Sequence, residues 1–220
     1  MPTIQAVLFD VDGTLIDSND LHAEAWAEVL AGHGHPVPVD VVRGQIGKGG
    51  DNLMPALLPA SVVAEQGEVI EEDRGALFKR DYLPRVRPFP CVRELFERLK
   101  ADGKTIVIAS SGAREEVEHH LETLGVADLI DGGTSKDDVA HSKPAPDIFA
   151  AALDKAGVGA EHAVVVGDTP YDIEAAAKIG LPTIAVRAGG FPEEELARAA
   201  EIRDDIADLL ANYDTSLIGR

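Results

Sequence analysis

Short apolar runs that alternate with amphipathic segments constrain the fold of this chain more than any other feature. Short runs of apolar and β-branched residues are typical of buried parallel strands. Five of them are predicted as strands: residues 4–9, 104–109, a weak one near 129–132, 162–167 and 182–186. Three segments with apolar residues three and four positions apart are predicted as helices: residues 115–124, 147–156 and 172–179. The alternation predicts an α/β fold with a doubly wound parallel sheet covered by helices.

The interval after the first predicted strand breaks this alternation. Three segments there, residues 19–30, 51–58 and 61–82, have the pattern of helices, with no convincing strand among them. We therefore expect an inserted all-helical cap domain over residues 17–87. Residues 1–16 and 88–220 would then form the core. The chain crossings near 15–19 and 84–90 are the expected hinges, since Pro84, Pro88 and Pro90 resist continuous helix.

Charge and composition limit the classes of partner. The 220 residues include 39 acidic and 20 basic side chains, a formal charge of -19, which would repel nucleic acid and anionic membranes. A small ligand is therefore the expected partner. The single cysteine, Cys91, excludes an intramolecular disulfide and is expected to be structural. No apolar stretch is long enough to span a membrane and no signal peptide is recognisable, so we expect a cytoplasmic protein.

Two carboxylates follow the first predicted strand, in Asp10-Val11-Asp12-Gly13-Thr14. Ligand sites in open α/β sheets lie beyond the carboxyl ends of the strands, which favours a functional role for this motif. Asp and Gly are also common in turns that bind nothing. Taken alone, the motif supports both interpretations.

Three further polar motifs lie near predicted strand ends or helix starts: Ser110-Ser111-Gly112, Lys143-Pro144, and Gly167-Asp168-Thr169-Pro170-Tyr171-Asp172. Each has a purely structural interpretation. Ser110 and Thr169 are suitable helix N-caps, an acidic residue such as Asp172 suits a first helical turn, and Lys143 could be a solvated surface side chain. Their joint occurrence in this order favours a site over four independent coincidences.

This ordered set of motifs resembles the haloacid dehalogenase superfamily over nearly the whole chain. The similarity is to its phosphohydrolase branch, with a helical cap after the first strand, as in phosphoglycolate phosphatase and β-phosphoglucomutase. The resemblance implies a phosphatase that hydrolyses a small phosphomonoester, a sugar phosphate or a phosphoglycolate-like compound, through an aspartyl-phosphate. It also implies a small phosphorylated metabolite as partner, and we expect a monomer or homodimer.

The resemblance assigns roles to individual residues. Asp10 would be the nucleophile, and Asp12 would protonate the leaving oxygen and then deprotonate water, which requires the two carboxyl groups to differ in pKa. Ser110, with the backbone N–H groups of Ser111 and Gly112, would bind phosphoryl oxygens. Lys143 would offset the negative charge of the transition state.

The same resemblance implies a Mg²⁺ cofactor. Mg²⁺ prefers hard oxygen ligands and retains waters, so Asp10, the backbone carbonyl of Asp12 and Asp168 form a sufficient set of protein ligands. Asp172 is expected to contact the ion through water. A role of Asp172 in the helix N-terminus is equally compatible with its position.

Two cap residues are candidate substrate contacts. His22 could face the cleft or lie on the helix surface, whereas Trp26 on the same helical face is expected to pack between cap and core. Lys48 lies among Gly47, Gly49 and Gly50 in a loop that could bring a cation over a bound phosphate. An ordinary flexible loop with an incidental lysine is the alternative.

The same residues bear on other reactions and functions. The presence of Asp12 disfavours relatives that attack carbon or cleave phosphonates. A β-phosphoglucomutase-like transfer is the main enzymatic alternative, although those relatives typically have Glu-Asp where this chain has Gly167-Asp168. A non-catalytic binding protein on the same fold is the remaining alternative, since a fold does not establish a function.

Overall fold

A six-stranded parallel sheet forms the centre of the molecule, in a computed structural model that describes residues 3–220. Its strands are β1 (Ala6–Phe9), β4 (Thr105–Ala109), β5 (Gly132–Thr134), β6 (Ala163–Gly167), β7 (Thr183–Val186) and β8 (Glu201–Arg203). They lie in the order β5-β4-β1-β6-β7-β8. The remaining strands, β2 (Ile16–Asp17) and β3 (Arg87–Pro88), form a separate antiparallel ribbon. The predicted α/β class is confirmed.

Helices cover both faces of the sheet. They are α5 (Val92–Ala101), α6 (Arg114–Leu124), α7 (Asp147–Ala156), α8 (Pro170–Ala177), α9 (Glu193–Leu196) and α10 (Ile206–Ala211). Successive side chains of a strand point to opposite faces, and β1 shows this alternation. Val7 and Phe9 join the cluster that contains α5 and α10 residues, and Leu8 joins the cluster that contains α7 residues. The sheet is therefore buried on both sides, as its continuous apolar runs require.

Four helices lie between the two ribbon strands: α1 (Asn19–Gly32), α2 (Val39–Arg43), α3 (Gly50–Leu57) and α4 (Ala60–Leu77). A π-helical turn, Phe78–Tyr82, follows α4. This helical insert is the expected cap, and α2 was not predicted. The ribbon pairs Ile16 with Pro88 and Asp17 with Arg87, at the two chain crossings expected as hinges. The domain boundaries at 17 and 87 and the hinge motion stay predictions.

The strand predicted near residues 129–132 is wrong for most of its length. Residues Ala127–Leu129 form a 3₁₀ turn, and the strand begins at Gly132. Backbone pairing of Gly132 with Val107 and of Thr134 with Ala109 defines this strand. Glycine has low strand propensity, so tertiary pairing rather than local sequence determines β5.

Register places the ends of the central strands side by side. Phe9, the last residue of β1, lies opposite Ile108 of β4 and Val166 of β6. The next residues therefore meet at one edge of the sheet. Asp10 N donates to Val166 O at 2.9 Å, and Ser110 N donates to Thr134 O at 3.1 Å. The polar motifs at these strand ends are thereby brought together.

Candidate active site

Asp10, Lys143 and Asp172 form a buried cluster of charges at this edge. The Lys143 ammonium donates to Asp10 Oδ1 and lies 2.7 Å from Asp172 Oδ1. Its side chain is only 1% exposed. Burial lowers the pKa of Lys143, but the charges of Asp10 and Asp172 more than offset this effect and hold the pKa above its ordinary value. The surface-lysine interpretation of Lys143 does not apply in this structure.

A capping box at the start of α8 holds Asp172 in place. Thr169 N donates to Asp172 Oδ2 at 3.0 Å, and Asp172 N donates to Thr169 Oγ1 at 3.2 Å. Such reciprocal bonds satisfy N–H groups at a helix N-terminus. A Cβ atom at Gly167 would lie 2.7 Å from Asp172 Cγ, so glycine is required beside this carboxylate. The helix role and the site role of Asp172 therefore occur together.

Asp168 is held by two side chains to which the sequence patterns assigned no role. Thr14 Oγ1 donates to Asp168 Oδ1 at 3.1 Å, and Asn19 Nδ2 donates to Asp168 Oδ2 at 2.7 Å. Asn19 begins α1, so this contact connects the helical insert to the core. Thr14 belongs to the first motif, which was a usable signal. Asn19 carried no signal beyond its position at a helix start.

Three carboxylates form a group suited to a divalent cation. One oxygen each of Asp10, Asp168 and Asp172 lies within 4.8 Å of the others, and all three residues are buried. Burial and the charges of neighbouring carboxylates raise the pKa of Asp168 well above its ordinary range and that of Asp10 to about 7. Three carboxylates beside one ammonium leave excess negative charge, and hard oxygen donors suit Mg²⁺. The residues present fit such an ion.

The Asp12 side chain contacts the helical insert and lines the same cavity as Asp10, but it is not one of the three grouped carboxylates. Its Oδ1 accepts hydrogen bonds from Ser18 Oγ at 2.7 Å and from His22 Nε2 at 2.8 Å. Burial alone would raise its pKa, but interaction with His22 and the bond from Ser18 hold it well below its ordinary value. Asp10 and Asp12 therefore differ in pKa, as expected. The lower value belongs to Asp12, which leaves it ionised in this arrangement.

His22 lies in the wall of the site, where a second cap residue, Arg74, contacts it. Arg74 Nη2 donates to His22 Nδ1, and because arginine cannot accept, the proton of the imidazole is on Nε2, facing Asp12. The imidazole stacks on Phe78 with ring centroids 4.0 Å apart. Trp26 is buried and belongs to a hydrophobic cluster that contains both cap and core residues, which agrees with the expected packing between cap and core. Arg74 was missed, because a lone arginine in a polar helix carries no motif.

A cavity of about 120 Å³ lies between the insert and the core. It includes six of the predicted site residues in its wall: Asp10, Asp12, His22, Lys48, Ser111 and Gly112. Ser110 Oγ accepts from Gly112 N at 3.0 Å and so shapes the backbone there, whereas Ser111 Oγ is buried and has no hydrogen-bond partner among the described residues. The cavity is thus bordered by the nucleophile candidate and by the loop predicted to bind phosphoryl oxygens.

Lys48 borders the cavity but contacts other protein groups. Its ammonium donates to Gln45 Oε1 at 2.6 Å and lies 4.6 Å from the centre of the Tyr171 ring. Burial lowers its pKa. The substrate contact of Lys48 stays a prediction.

Helix α3 bonds directly to the loop that carries Lys143. Asn52 Nδ2 donates to Ser142 O at 2.9 Å and to Lys143 O at 3.3 Å, and Ser142 N donates to Asp51 Oδ2 at 3.0 Å. These contacts join the insert to the backbone of the loop that carries Lys143.

None of the helices in the described part of the chain combines the length and the apolar composition that a membrane span needs.

The fold and the ordered site residues point to one family. Residues 4–180 match the haloacid dehalogenase-like hydrolase family, and the chain belongs to it. The predicted hydrolase class is thereby confirmed.

Named relatives cover almost the full chain. Validoxylamine A 7'-phosphate phosphatase of Streptomyces hygroscopicus is 29% identical over 93% of this chain and 95% of its own length. Phosphoglycolate phosphatase of Rhodospirillum rubrum is 30% identical over 93% of this chain and 89% of its own length. A hydrolase from Pseudomonas syringae has a crystal structure with a TM-score of 0.89 and 29% identity, covering 96% of this chain and 98% of that one.

Proposed function

We propose that this protein is a Mg²⁺-dependent phosphomonoester hydrolase that works through an aspartyl-phosphate on Asp10. The observation that carries the proposal is the position of Asp10. Its carboxylate lies in the wall of the cavity, bonded to Lys143 and grouped with Asp168 and Asp172. Relatives named as phosphatases of small phosphorylated compounds support this substrate class.

Asp10 supplies the attacking oxygen in the first step. A carboxylate oxygen bonds to phosphorus while the ester oxygen leaves with its electron pair. Lys143 keeps the carboxylate oriented, and its positive charge offsets the charge that accumulates on the phosphoryl group. Asp10, the Asp12 carbonyl and Asp168 would hold a Mg²⁺ ion, with Asp172 contacting it through water, and the bound ion would favour the ionised form of Asp10 and neutralise phosphoryl oxygens.

Asp12 moves the protons. A phosphate dianion bound beside Asp12 would raise the pKa of its carboxyl group, so that Asp12 takes up a proton from solvent as the substrate binds and gives it to the leaving oxygen. Once the alcohol has left, the ionised carboxylate takes a proton from the water that attacks the aspartyl-phosphate. His22 Nε2, 2.8 Å from Asp12 Oδ1, keeps the carboxyl group aimed at the cavity. The roles assigned to Ser110, Ser111 and Gly112 in phosphoryl binding complete this proposal.

Hydrolysis is favoured over mutase-like transfer by the surroundings of Gly167. Glutamate at this position would place a Cβ atom 2.7 Å from Asp172 Cγ, in conflict with the capping box. The Glu-Asp pair typical of the mutase relatives is therefore incompatible with this arrangement of α8. We expect little isomerisation of glucose phosphates relative to phosphate release.

Phosphate release with and without Mg²⁺ tests the proposal. A panel of phosphoglycolate, glycerol, hexose and nucleotide phosphates is assayed with the wild type and with Asp10→Asn, alongside a glucose-phosphate isomerisation assay. We expect release only with a divalent ion, and its loss in Asp10→Asn. Asp17→Asn, on the exposed side of the ribbon, is the matched control and should retain activity. If no ester on the panel releases phosphate, the hydrolase proposal is wrong.

A further inference from the structure

The cavity wall away from Asp10 contains both cations and acids. Glu71 and Arg74, one turn apart on α4, form part of the cap side. Glu116, in the first turn of α6, and Lys136 form part of the core side. When the phosphate of a substrate lies beside Asp10, its leaving group must occupy the space between these two sides. The leaving group therefore meets the charged side chains of both sides, which bear on whether it is accepted.

Both terminal nitrogens of the Arg74 guanidinium face protein groups, whereas its buried Nε has no hydrogen-bond partner among the described residues. Its Nη1 lies 3.5 Å from Glu116 Oε1, and its Nη2 donates to His22. The guanidinium also lies 4.8 Å from the centre of the Phe78 ring. Both ionic side chains are shielded, with 14% of Arg74 and 13% of Glu116 exposed. An anion that approached Arg74 would meet the Glu116 carboxylate as well.

Lys136 has the same arrangement on the core side. Its ammonium lies 2.8 Å from Glu71 Oε1. Lys48, the third cation of the wall, contacts Gln45 and the Tyr171 ring, and burial lowers its pKa. Arg74 and Lys136 are thus each paired with an acidic residue on the opposite side of the gap between cap and core.

We propose that Glu71 and Glu116 are specificity-determining residues that select phosphomonoesters of uncharged, hydroxyl-bearing alcohols and reject leaving groups with a carboxylate or second phosphate. The inference rests on the proposed function and names the substrate class of that site. A hydroxyl group both donates and accepts, so it bonds to a carboxylate and to its cationic partner without separating them. A second anion must break an ion pair and leave the carboxylate facing a like charge.

A matched substrate pair tests the inference. Glycerol 3-phosphate and 3-phosphoglycerate have the same number of carbons and differ at the terminal carbon, which is an alcohol in one and a carboxylate in the other. We expect wild-type kcat/KM to favour glycerol 3-phosphate by about tenfold or more, the scale of a single like-charge conflict. A second pair, 2-hydroxyethyl phosphate and phosphoglycolate, should show the same preference.

Charge-removing variants connect the preference to the two acids. Glu116→Gln and Glu71→Gln keep side-chain size, and each should reduce the preference for the alcohol substrate by about fivefold or more, because the freed cation then accepts a carboxylate. Glu115→Gln, a neighbour paired with exposed Lys79, is the control and should leave the ratio unchanged.

Two results would overturn the inference. One is equal or better wild-type hydrolysis of the carboxylate substrates, and the other is an unchanged substrate ratio in both glutamine variants. Neither result affects the hydrolase proposal, because phosphate is still released. Absence of release from all four esters would instead contradict the proposed function itself.

Discussion

Replacement of Lys143 by methionine should destabilise the metal-free protein in a strongly pH-dependent way. Methionine keeps an unbranched apolar side chain that ends one atom short of the lysine nitrogen, and so removes the ammonium that contacts Asp10 and Asp172. The carboxylates then lose their cationic partner at a site where water cannot replace it. The folded variant can relieve the repulsion only by binding a proton.

The free-energy cost of binding this proton determines how much stability the variant loses. An aspartate with an ordinary pKa of 3.8 that must be protonated to fold costs about 1.4 kcal/mol for every pH unit above that value. One proton therefore costs about 2 kcal/mol at pH 5 and about 6 kcal/mol at pH 8. Loss of one partner from a buried ion pair typically costs about 3 to 5 kcal/mol. We expect a loss of about 2 kcal/mol at pH 5 and about 4 kcal/mol at pH 8.

Urea denaturation at both pH values, with EDTA present, measures this difference. The sign follows from linkage: the folded variant binds more protons than the folded wild type, so its relative stability falls as pH rises. Lys79→Met, which removes an exposed ion pair with Glu115, should cost less than about 1 kcal/mol at either pH. An equal loss at pH 5 and pH 8 for Lys143→Met would refute the electrostatic account of this cluster.

Three further measurements follow from the site and the core. The raised pKa of Asp10, about 7, means that protons compete with Mg²⁺, so calorimetry should show affinity that rises with pH up to about 7 and then levels off. Asn52→Ala removes the bonds to the Lys143 loop and should lower kcat/KM about fivefold, whereas unchanged kinetics would exclude a role for this contact in cap closure. Phe96→Ala, at a fully buried ring 4.8 Å from Phe9, should lower the free energy of unfolding by about 3 to 5 kcal/mol, and a urea midpoint near wild type would contradict tight packing there.

The sequence predicted where the polar motifs meet because each motif is local and adjoins an apolar run. Once a parallel sheet is expected, residues that follow neighbouring strands must meet at one edge, which brought Asp10, Ser110 and Asp168 together. The same reasoning does not reach contacts between the insert and the core. Arg74 and Asn52 act through the orientation of helices over the sheet, and helical periodicity carries no information about that orientation.

Strands whose residues have little intrinsic preference for strand structure were also missed. Strand β5 is built on Gly132 and Gly133, and the ribbon strands have two residues each, so backbone pairing alone defines them. The two carboxyl groups of the first motif show a related limit. Sequence indicated that Asp10 and Asp12 must differ in pKa, but the direction depends on His22 and Ser18, which the fold brings to Asp12.

The ribbon of β2 and β3 makes the helical insert an exchangeable module. Because Ile16 pairs with Pro88, and Phe89 N donates to Leu15 O at 3.0 Å, the insert leaves and re-enters the core at neighbouring points. All residues between these points form one segment that starts and ends at nearly the same place beside the sheet. A different helical segment with equally close ends could be joined there without disturbing β1 or Asp10. The covalent connection of the insert is thus separate from the strand ends, and side-chain contacts such as Asn19 to Asp168 join the two.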